Sequence, residues 1–417
     1  MPSLPSFGPR PHTVFSTGFY PDPDFDYEVR LLLGATAYHC ADAGEVLATV
    51  ASVDDKDHER WFTAWLDTAD RARALADTAA AAGHRVSAAQ AYLRAATYYA
   101  VAVNSVSGLA SDDRLLPTFR AHRAAWDRFA EAGPHDVDRI AIPYEDRTLP
   151  GYFFRAAGER RARPTLVMVN GSDGALSGLW SSGAAGALAR GYHVLLFDGP
   201  GQQSMLFEHG VGFRPDWEAV LTPVADALLE RAEVDTDRLA VYGVSQGGFW
   251  VARALAFEHR FAAAVTDPGV TDVAASWVGH LPKSLLEKFE AGKKKSFDRA
   301  MGLGMKFSRT TSRTWNFRAR PYRRKSYFDT LTEVHRYRLD PQDARRITTP
   351  VFITDPEHEQ FWPGQSKHLA ELIGDRAALC RFTAAEGADF HCQPMARQLT
   401  DQRMFDWLDT TLHRSGS

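Results

Sequence analysis

The chain of 417 residues is longer than one compact core usually holds, which points to one large domain plus an additional region. Hydrophobic residues make up 45%, aromatic residues 12%, and the net charge is −4; this supports a packed globule and argues against a nucleic-acid binder or a membrane-surface protein. No apolar run is long enough to span a bilayer, the Pro-rich stretch Met1 to Pro11 has no apolar signal core, and Cys40, Cys380 and Cys392 are widely spread without metal-pair spacing. The expected setting is the cytoplasm, with reduced thiols and no metal or cofactor.

In chain order, Tyr27 to Ala132 reads almost wholly as helix, with breaks at Gly83-His84 and at Gly108 to Asp113. Trp61 and Trp65, then Tyr92, Ala95, Ala96 and Tyr99, recur at helical spacing, so they should pack helix on helix or on the domain that follows. Gly133-Pro134 ends that pattern, which sets residues 1–133 apart as a helical region. Val137 to Pro143 and Leu149 to Arg155 alternate as strands around a turn at Tyr144 to Arg147. Thr165 to Val169 is an apolar run of the kind buried in a parallel sheet, and Asn170-Gly171-Ser172-Asp173-Gly174 follows it. A helix over 177–190, a strand His193 to Phe197, the turn Asp198-Gly199-Pro200-Gly201-Gln202-Gln203, a helix Trp217 to Arg231 and strands Leu239 to Tyr242 and Phe261 to Thr266 continue the alternation. The implied fold is α/β, a mostly parallel doubly wound sheet with right-handed crossovers, formed by 134–270 and 347–417.

Residues 271–346 suspend this pattern. They are helical or irregular, with basic clusters (Lys293-Lys294-Lys295, Arg323-Arg324-Lys325) among aromatics such as Trp277, Trp315 and Tyr322, and read as a helical lid inserted into the sheet domain. Basic residues among aromatics also occur in nucleic-acid binders, but the acidic total favours a solvated face. The sheet pattern returns with Pro350 to Thr354, a helix Gln365 to Ile373, a strand Ala378 to Phe382 and a closing helix Ala396 to Leu412.

Leu239 to Gly248 is a β-prone run ending in Gly243-Val244-Ser245-Gln246-Gly247, and Phe249 to Leu255 continues at helical spacing. Strand, tight turn and helix in that order make a nucleophile elbow, in which small residues flank a strained serine and a helix N-terminus favours developing negative charge. A serine hydroxyl needs a base, and the base an orienting carboxylate. In an elbow-bearing sheet the order is Ser, acid, His; of fifteen histidines, His391 is the one in the loop between the last strand and the closing helix, in Ala388 to Pro394. The acid belongs to the loop after Val351 to Thr354, which offers Asp355, Glu357 and Glu359. Glu359 stands four residues before Pro363 and is favoured, with Asp355 second and Glu357 third. The oxyanion donors are expected to be the Gln246 N–H and the Ser172 N–H, with Gly171 letting the backbone approach.

Together, the Asn170 to Gly174 turn, Phe197 to Gln202, the Ser245 elbow and the His391 loop resemble the α/β-hydrolase superfamily. Within it the chain resembles an esterase group that includes the fermentation-respiration-switch protein, dihydroxypseudooxynicotine hydrolase and fungal polyketide-shortening hydrolases. The likeness runs from about Val137 to the C-terminus, and it implies hydrolysis of an ester or of a C–C bond beside a ketone. A glutamate where an aspartate is more usual departs from the pattern. The leading expectation is a carboxylesterase-like serine hydrolase acting on a small or medium organic molecule in a largely apolar pocket roofed by the lid and the N-terminal helices. The alternatives are a C–C hydrolase for an aromatic or polyketide-like ketone, and a non-catalytic regulatory protein on the same scaffold. Expected partners are a small-molecule substrate and, as an assembly, a homodimer, with no nucleic acid and no membrane.

Overall fold

The computed structural model describes residues 18–158, 161–279 and 281–415. Five helices come first: α1 Pro23–Ala35, α2 Ala43–Val50, α3 His58–Ala81, α4 Arg85–Ser105 and α5 Leu115–Ala132. Their starts are chemically marked. The Asp22 carboxylate accepts from the N–H groups of Asp24 and Phe25, with Pro23 in the first turn, and Asp42 caps α2 in the same way. Gly83, at φ 79°, turns α3 into α4. Trp61, Trp65, Ala69, Ala72 and Ala76 form one buried stripe on α3, and the alanines let α4 approach closely enough for the Tyr99 hydroxyl to reach Asp70.

Eight strands form one sheet: β1 Val137–Tyr144, β2 Arg147–Phe154, β3 Arg163–Val169, β4 His193–Phe197, β5 Val234–Val244, β6 Ala263–Asp267, β7 Val351–Pro356 and β8 Ala377–Phe382, in the order β1-β2-β4-β3-β5-β6-β7-β8. β1 to β2 and β2 to β4 are antiparallel, and every pairing from β4 to β8 is parallel. The central strands are buried on both faces, so successive residues of β3 enter different cores. Leu166 and Met168 join Trp65, Tyr99 and Trp126 of the N-terminal helices, whereas Val167 and Val169 join Trp217 and Trp250 on the opposite side. The helical region therefore shares its core with one face of the sheet.

On the other face lie α6 Glu218–Leu229 and α7 Gly247–Leu255. Between β6 and β7 the chain makes α8 Lys283–Glu290, α9 Lys294–Phe307, α10 Arg309–Ala319 and α11 Tyr327–Val334; α12 Gln365–Ile373 and α13 Arg397–Ser415 complete the fold. The insertion is tied to the N-terminal helices by the Arg313 guanidinium, which donates to the Gly108 carbonyl at 2.6 Å, and by an Arg320–Asp112 ion pair.

One predicted element differs. The helix expected over 177–190 is broken into Leu176–Leu179, a wide turn Trp180–Ala184 and Ala185–Ala189. Gly183 causes the break: it adopts φ 156°, and a Cβ there would stand 3.1 Å from the Tyr242 ring.

Candidate active site

Ser245 sits between the end of β5 and the start of α7 with φ 57°, a left-handed conformation that costs a non-glycine residue roughly 1 kcal/mol or more. The surroundings impose it. The Ser245 N–H donates to the Asp267 carbonyl at 2.6 Å. A Cβ at Gly243 would stand 2.2 Å from the Gly247 carbonyl oxygen, and one at Gly247 would stand 2.7 Å from that of Val169. Without those side chains β5 and α7 close on each other, and the Ser245 hydroxyl is left at the C-terminal edge of the sheet.

The structure brings Ser245, His391 and Glu359 together. His391 Nε2 lies 2.9 Å from Ser245 Oγ, and its Nδ1 lies 2.9 Å from both Glu359 carboxylate oxygens. The side chains of His391 and Glu359 retain only 4% and 5% of their accessible surface, so water screens their interaction little. The loops carrying them are stitched together on both sides: His358 N–H donates to the Asp389 carbonyl at 2.8 Å, and His391 N–H to Gln360 Oε1 at 2.8 Å. Phe361 and Trp362 N–H groups donate to Glu359 Oε1 at 2.9 and 3.2 Å, and the Phe361 ring meets the imidazole edge-on at 4.8 Å.

Burial opposes charge on both partners. For Glu359 it is outweighed by the His391 charge and hydrogen bond and by the two backbone donors, so the carboxyl is held below its ordinary range. For His391 it is outweighed by the Cys392 sulfur and the Glu359 carboxylate, which hold the imidazole well above its ordinary range. Asp355 and Glu357 are not brought to the histidine. Asp355 accepts from Arg381 at 2.9 Å, and Glu357 accepts the Ala384 N–H at 2.9 Å.

Opposite Ser245, Gly171 approaches so closely that a Cβ there would stand 2.9 Å from the Ser245 Cβ. Its own N–H is committed to Asn170 Oδ1 at 2.9 Å. Gly171 therefore serves by its missing side chain, and the expected donors are the N–H of Gln246, which precedes the first residue of α7, and that of Ser172, in the turn after β3. Gln202 fixes this turn, donating to the Asn170 carbonyl at 2.8 Å while accepting from Gly199 N–H at 2.8 Å. Two backbone donors beside a serine hydroxyl suit an oxyanion.

Several supporting residues escaped the sequence reading. Asp267, fully buried at the end of β6, accepts from Tyr242 at 2.8 Å, Thr354 at 2.6 Å and Gln393 at 3.0 Å, and pairs with buried Arg397 at 3.3 Å. Its carbonyl holds the elbow, and its carboxylate holds the segment after His391. An acidic residue ending the strand beside the elbow was the available signal. Tyr27, on α1, donates its hydroxyl to the His391 carbonyl at 2.7 Å; nothing in its helical repeat marked it. Its neighbour Glu28 is pushed up to about 7 by burial and by the charges of Asp173 and Asp24.

A pocket opens beside the oxyanion donors. Ser172, Gln203 and Gln246 line it from the sheet side, Leu206 and Phe207 line it laterally, and Trp277, Phe317 and Tyr322 from the insertion roof it. The expectation of a largely apolar pocket needs correcting: Asp173, Gln203, Gln246, Arg318, Arg320 and Tyr322 also line it, because the turns after β3 and β4, the elbow, and the end of α10 with the segment after it all bring polar residues there. Among the described residues no cluster of His, Cys, Asp or Glu could hold a metal ion, and no helix is long and apolar enough to cross a membrane.

The mostly parallel sheet, with a serine elbow at its edge and a histidine loop ahead of the last helix, defines an α/β-hydrolase fold. Residues 186–296 match the prolyl oligopeptidase family. The chain is 32% identical to the hydrolase LUC6 of Fusarium sp over 96% of its own length and 98% of that protein. It is 34% identical to the 20-hydroxy-prefusarin hydrolase FUS2 of Gibberella moniliformis over 67% of this chain and 68% of that one. Among solved structures, the 2,6-dihydroxy-pseudo-oxynicotine hydrolase superposes with a TM-score of 0.71 at 20% identity, covering 91% of this chain and 95% of that one. The chain belongs to the α/β-hydrolase family of these fungal hydrolases.

Proposed function

We propose that this protein is a serine hydrolase that cleaves an ester in a small or medium organic substrate. The observation that carries the reading is the hydrogen-bonded chain from Ser245 through His391 to Glu359, each step 2.9 Å long. In this mechanism Ser245 Oγ attacks the carbonyl carbon while His391 Nε2 takes its proton, and Glu359 holds the Nδ1–H and stabilises the imidazolium. The Gln246 and Ser172 N–H groups receive the oxyanion. The imidazolium returns its proton to the leaving alcohol, and water then releases the acid by the same route. A pocket roofed by Trp277, Phe317 and Tyr322 suits an organic molecule better than a polymer or a folded protein, and one relative is named for its action on 20-hydroxy-prefusarin.

A second reading is hydrolysis of a C–C bond beside a ketone, with the same three residues. A carbon leaving group must receive a proton as an alcohol does, and the His391 imidazolium formed when Ser245 attacks would supply it. Purified protein assayed against a panel of p-nitrophenyl esters and of aryl β-diketones separates the two. Ester turnover that vanishes in Ser245→Ala supports the first; diketone cleavage without ester turnover supports the second; neither activity at any pH would count against both.

A further inference from the structure

We propose that Gln203, Gln246 and Tyr322 form a polar recognition site beside the oxyanion-binding N–H groups, built for a hydroxyl carried by the substrate close to its reacting carbonyl. The inference rests on Ser245 being the nucleophile and adds to that reading a chemical class of substrate.

The three side chains are 4%, 3% and 5% exposed, and all three line the same pocket. Among the described residues, Gln203 Oε1, Gln246 Nε2 and the Tyr322 hydroxyl are each buried outside normal hydrogen-bond geometry, with the Gln246 amide and the Tyr322 phenol close enough to interact with each other. A buried polar group left unpaired is costly, and the open Gln203 oxygen beside the Gln246–Tyr322 pair is explained by a ligand that bridges them. The chemistry of that ligand can be read from the atoms. Gln203 Nε2 donates to the Asp173 carbonyl at 3.3 Å, which fixes the amide orientation and leaves a free oxygen. That oxygen requires a donor. The Gln246 amide can donate to the phenol oxygen, which leaves the phenol O–H to seek an acceptor, and burial holds the phenol neutral, above its ordinary range. A hydroxyl is the smallest group that donates to one neighbour while accepting from another.

The positions are rigid. Phe213, Trp277 and Tyr337 meet the Tyr322 ring edge-on at 5.3, 5.5 and 5.2 Å. Gln203 is held at φ 32°, a backbone conformation that non-glycine residues reach at a cost and that concentrates where a side chain must be aimed. The cationic lining is already engaged: Arg318 lies over the Trp277 ring at 5.2 Å, and Arg320 pairs with Asp112. Because Gln246 also supplies a backbone N–H to the expected oxyanion site, the hydroxyl would lie only a few atoms from the reacting carbonyl.

Trifluoromethyl ketones test this without knowledge of the natural substrate. Ser245 Oγ adds to the ketone carbon, His391 takes the proton, and the hemiketal gives a distinct ¹⁹F resonance. Straight-chain ketones with no hydroxyl are compared with isomers carrying one hydroxyl at each chain carbon in turn, by calorimetric Kd and ¹⁹F NMR. One hydroxylated isomer should bind about 10- to 100-fold more tightly than its plain counterpart. That ratio should fall towards one in Gln203→Met and, independently, in Tyr322→Phe, each checked for folding by circular dichroism. A ratio near one for every isomer with wild-type protein, or a ratio preserved in both variants, would overturn the recognition site while leaving the nucleophile in place. Absence of any hemiketal resonance in wild-type protein would overturn the nucleophile assignment and this inference with it.

Discussion

The catalytic floor and the pocket wall beside it are built on opposite principles. On the floor, nearly every polar group has its partner: the two His391 nitrogens, both Glu359 oxygens and the Asp267 carboxylate are each engaged by protein. In the pocket beside it, Gln203 and Gln246 on the sheet side and Tyr322 in the roof hold, among the described residues, buried polar atoms outside normal hydrogen-bond geometry. A saturated network has one arrangement and holds geometry through a reaction cycle, whereas an unsaturated wall is completed by what binds there. On the proposed reading this molecule separates its functions, with the chemistry fixed at Ser245, His391 and Glu359 and the choice of substrate made in the pocket beside them.

Variants that break the floor should show the largest effects. Glu359→Gln keeps the shape but removes the charge that orients and stabilises His391, and kcat towards the best ester should drop by about 10⁴-fold with an unchanged circular dichroism spectrum. A loss below tenfold would show that another carboxylate orients the base. Asp267→Ala acts on folding: it removes one of the two buried carboxylates beside Arg397, Asp401 remaining at 3.8 Å, and takes their acceptor from Tyr242, Thr354 and Gln393, so stability measured by urea denaturation should fall by about 3–5 kcal/mol. A fall under about 1 kcal/mol would mean that the network is not what fixes the elbow.

Titration sharpens the same comparison. His391 must be neutral to accept the serine proton, and its surroundings hold it well above 6.5, so kcat/KM should rise with pH through a midpoint above that value. Below the midpoint the rate should fall about tenfold per unit. In Glu359→Gln the carboxylate no longer favours the imidazolium, and the midpoint should move down; an unmoved midpoint would show that Glu359 does not set it. Smaller effects belong to the periphery. Tyr27→Phe removes one hydrogen bond to the His391 carbonyl and should lower kcat about threefold to tenfold, and no change would assign Tyr27 to packing alone. Asp355→Asn, which affects an ion pair with Arg381 away from the histidine, should change kcat less than about threefold.

The elements legible in the sequence were those with local causes. Gly243 and Gly247 mark the elbow because a side chain at either would collide with nearby backbone. His391 stands out because the chain order leaves one histidine between the last strand and the closing helix, and Glu359 because of its spacing to Pro363. The strand alternation led to the sheet for the same reason, since burial on both faces writes apolar runs into the sequence. What stayed hidden depends on distance along the chain. Tyr27 meets a carbonyl 364 residues away, Asp267 gathers partners from four elements, and the polar wall of the pocket arises only when Gln203 and Tyr322 are folded towards each other from separate segments. The break at Gly183 belongs here too, because the Tyr242 ring that demands it lies on another strand.

The central claim, that Ser245 is the nucleophile of a charge-relayed hydrolase site, is tested most directly by a fluorophosphonate probe followed by peptide mass spectrometry. The account predicts stoichiometric labelling of wild-type protein on the peptide containing Ser245, slower labelling of His391→Ala, and none of Ser245→Ala. Undiminished labelling of Ser245→Ala, or a phosphonyl group mapped to a different serine in wild-type protein, would contradict it.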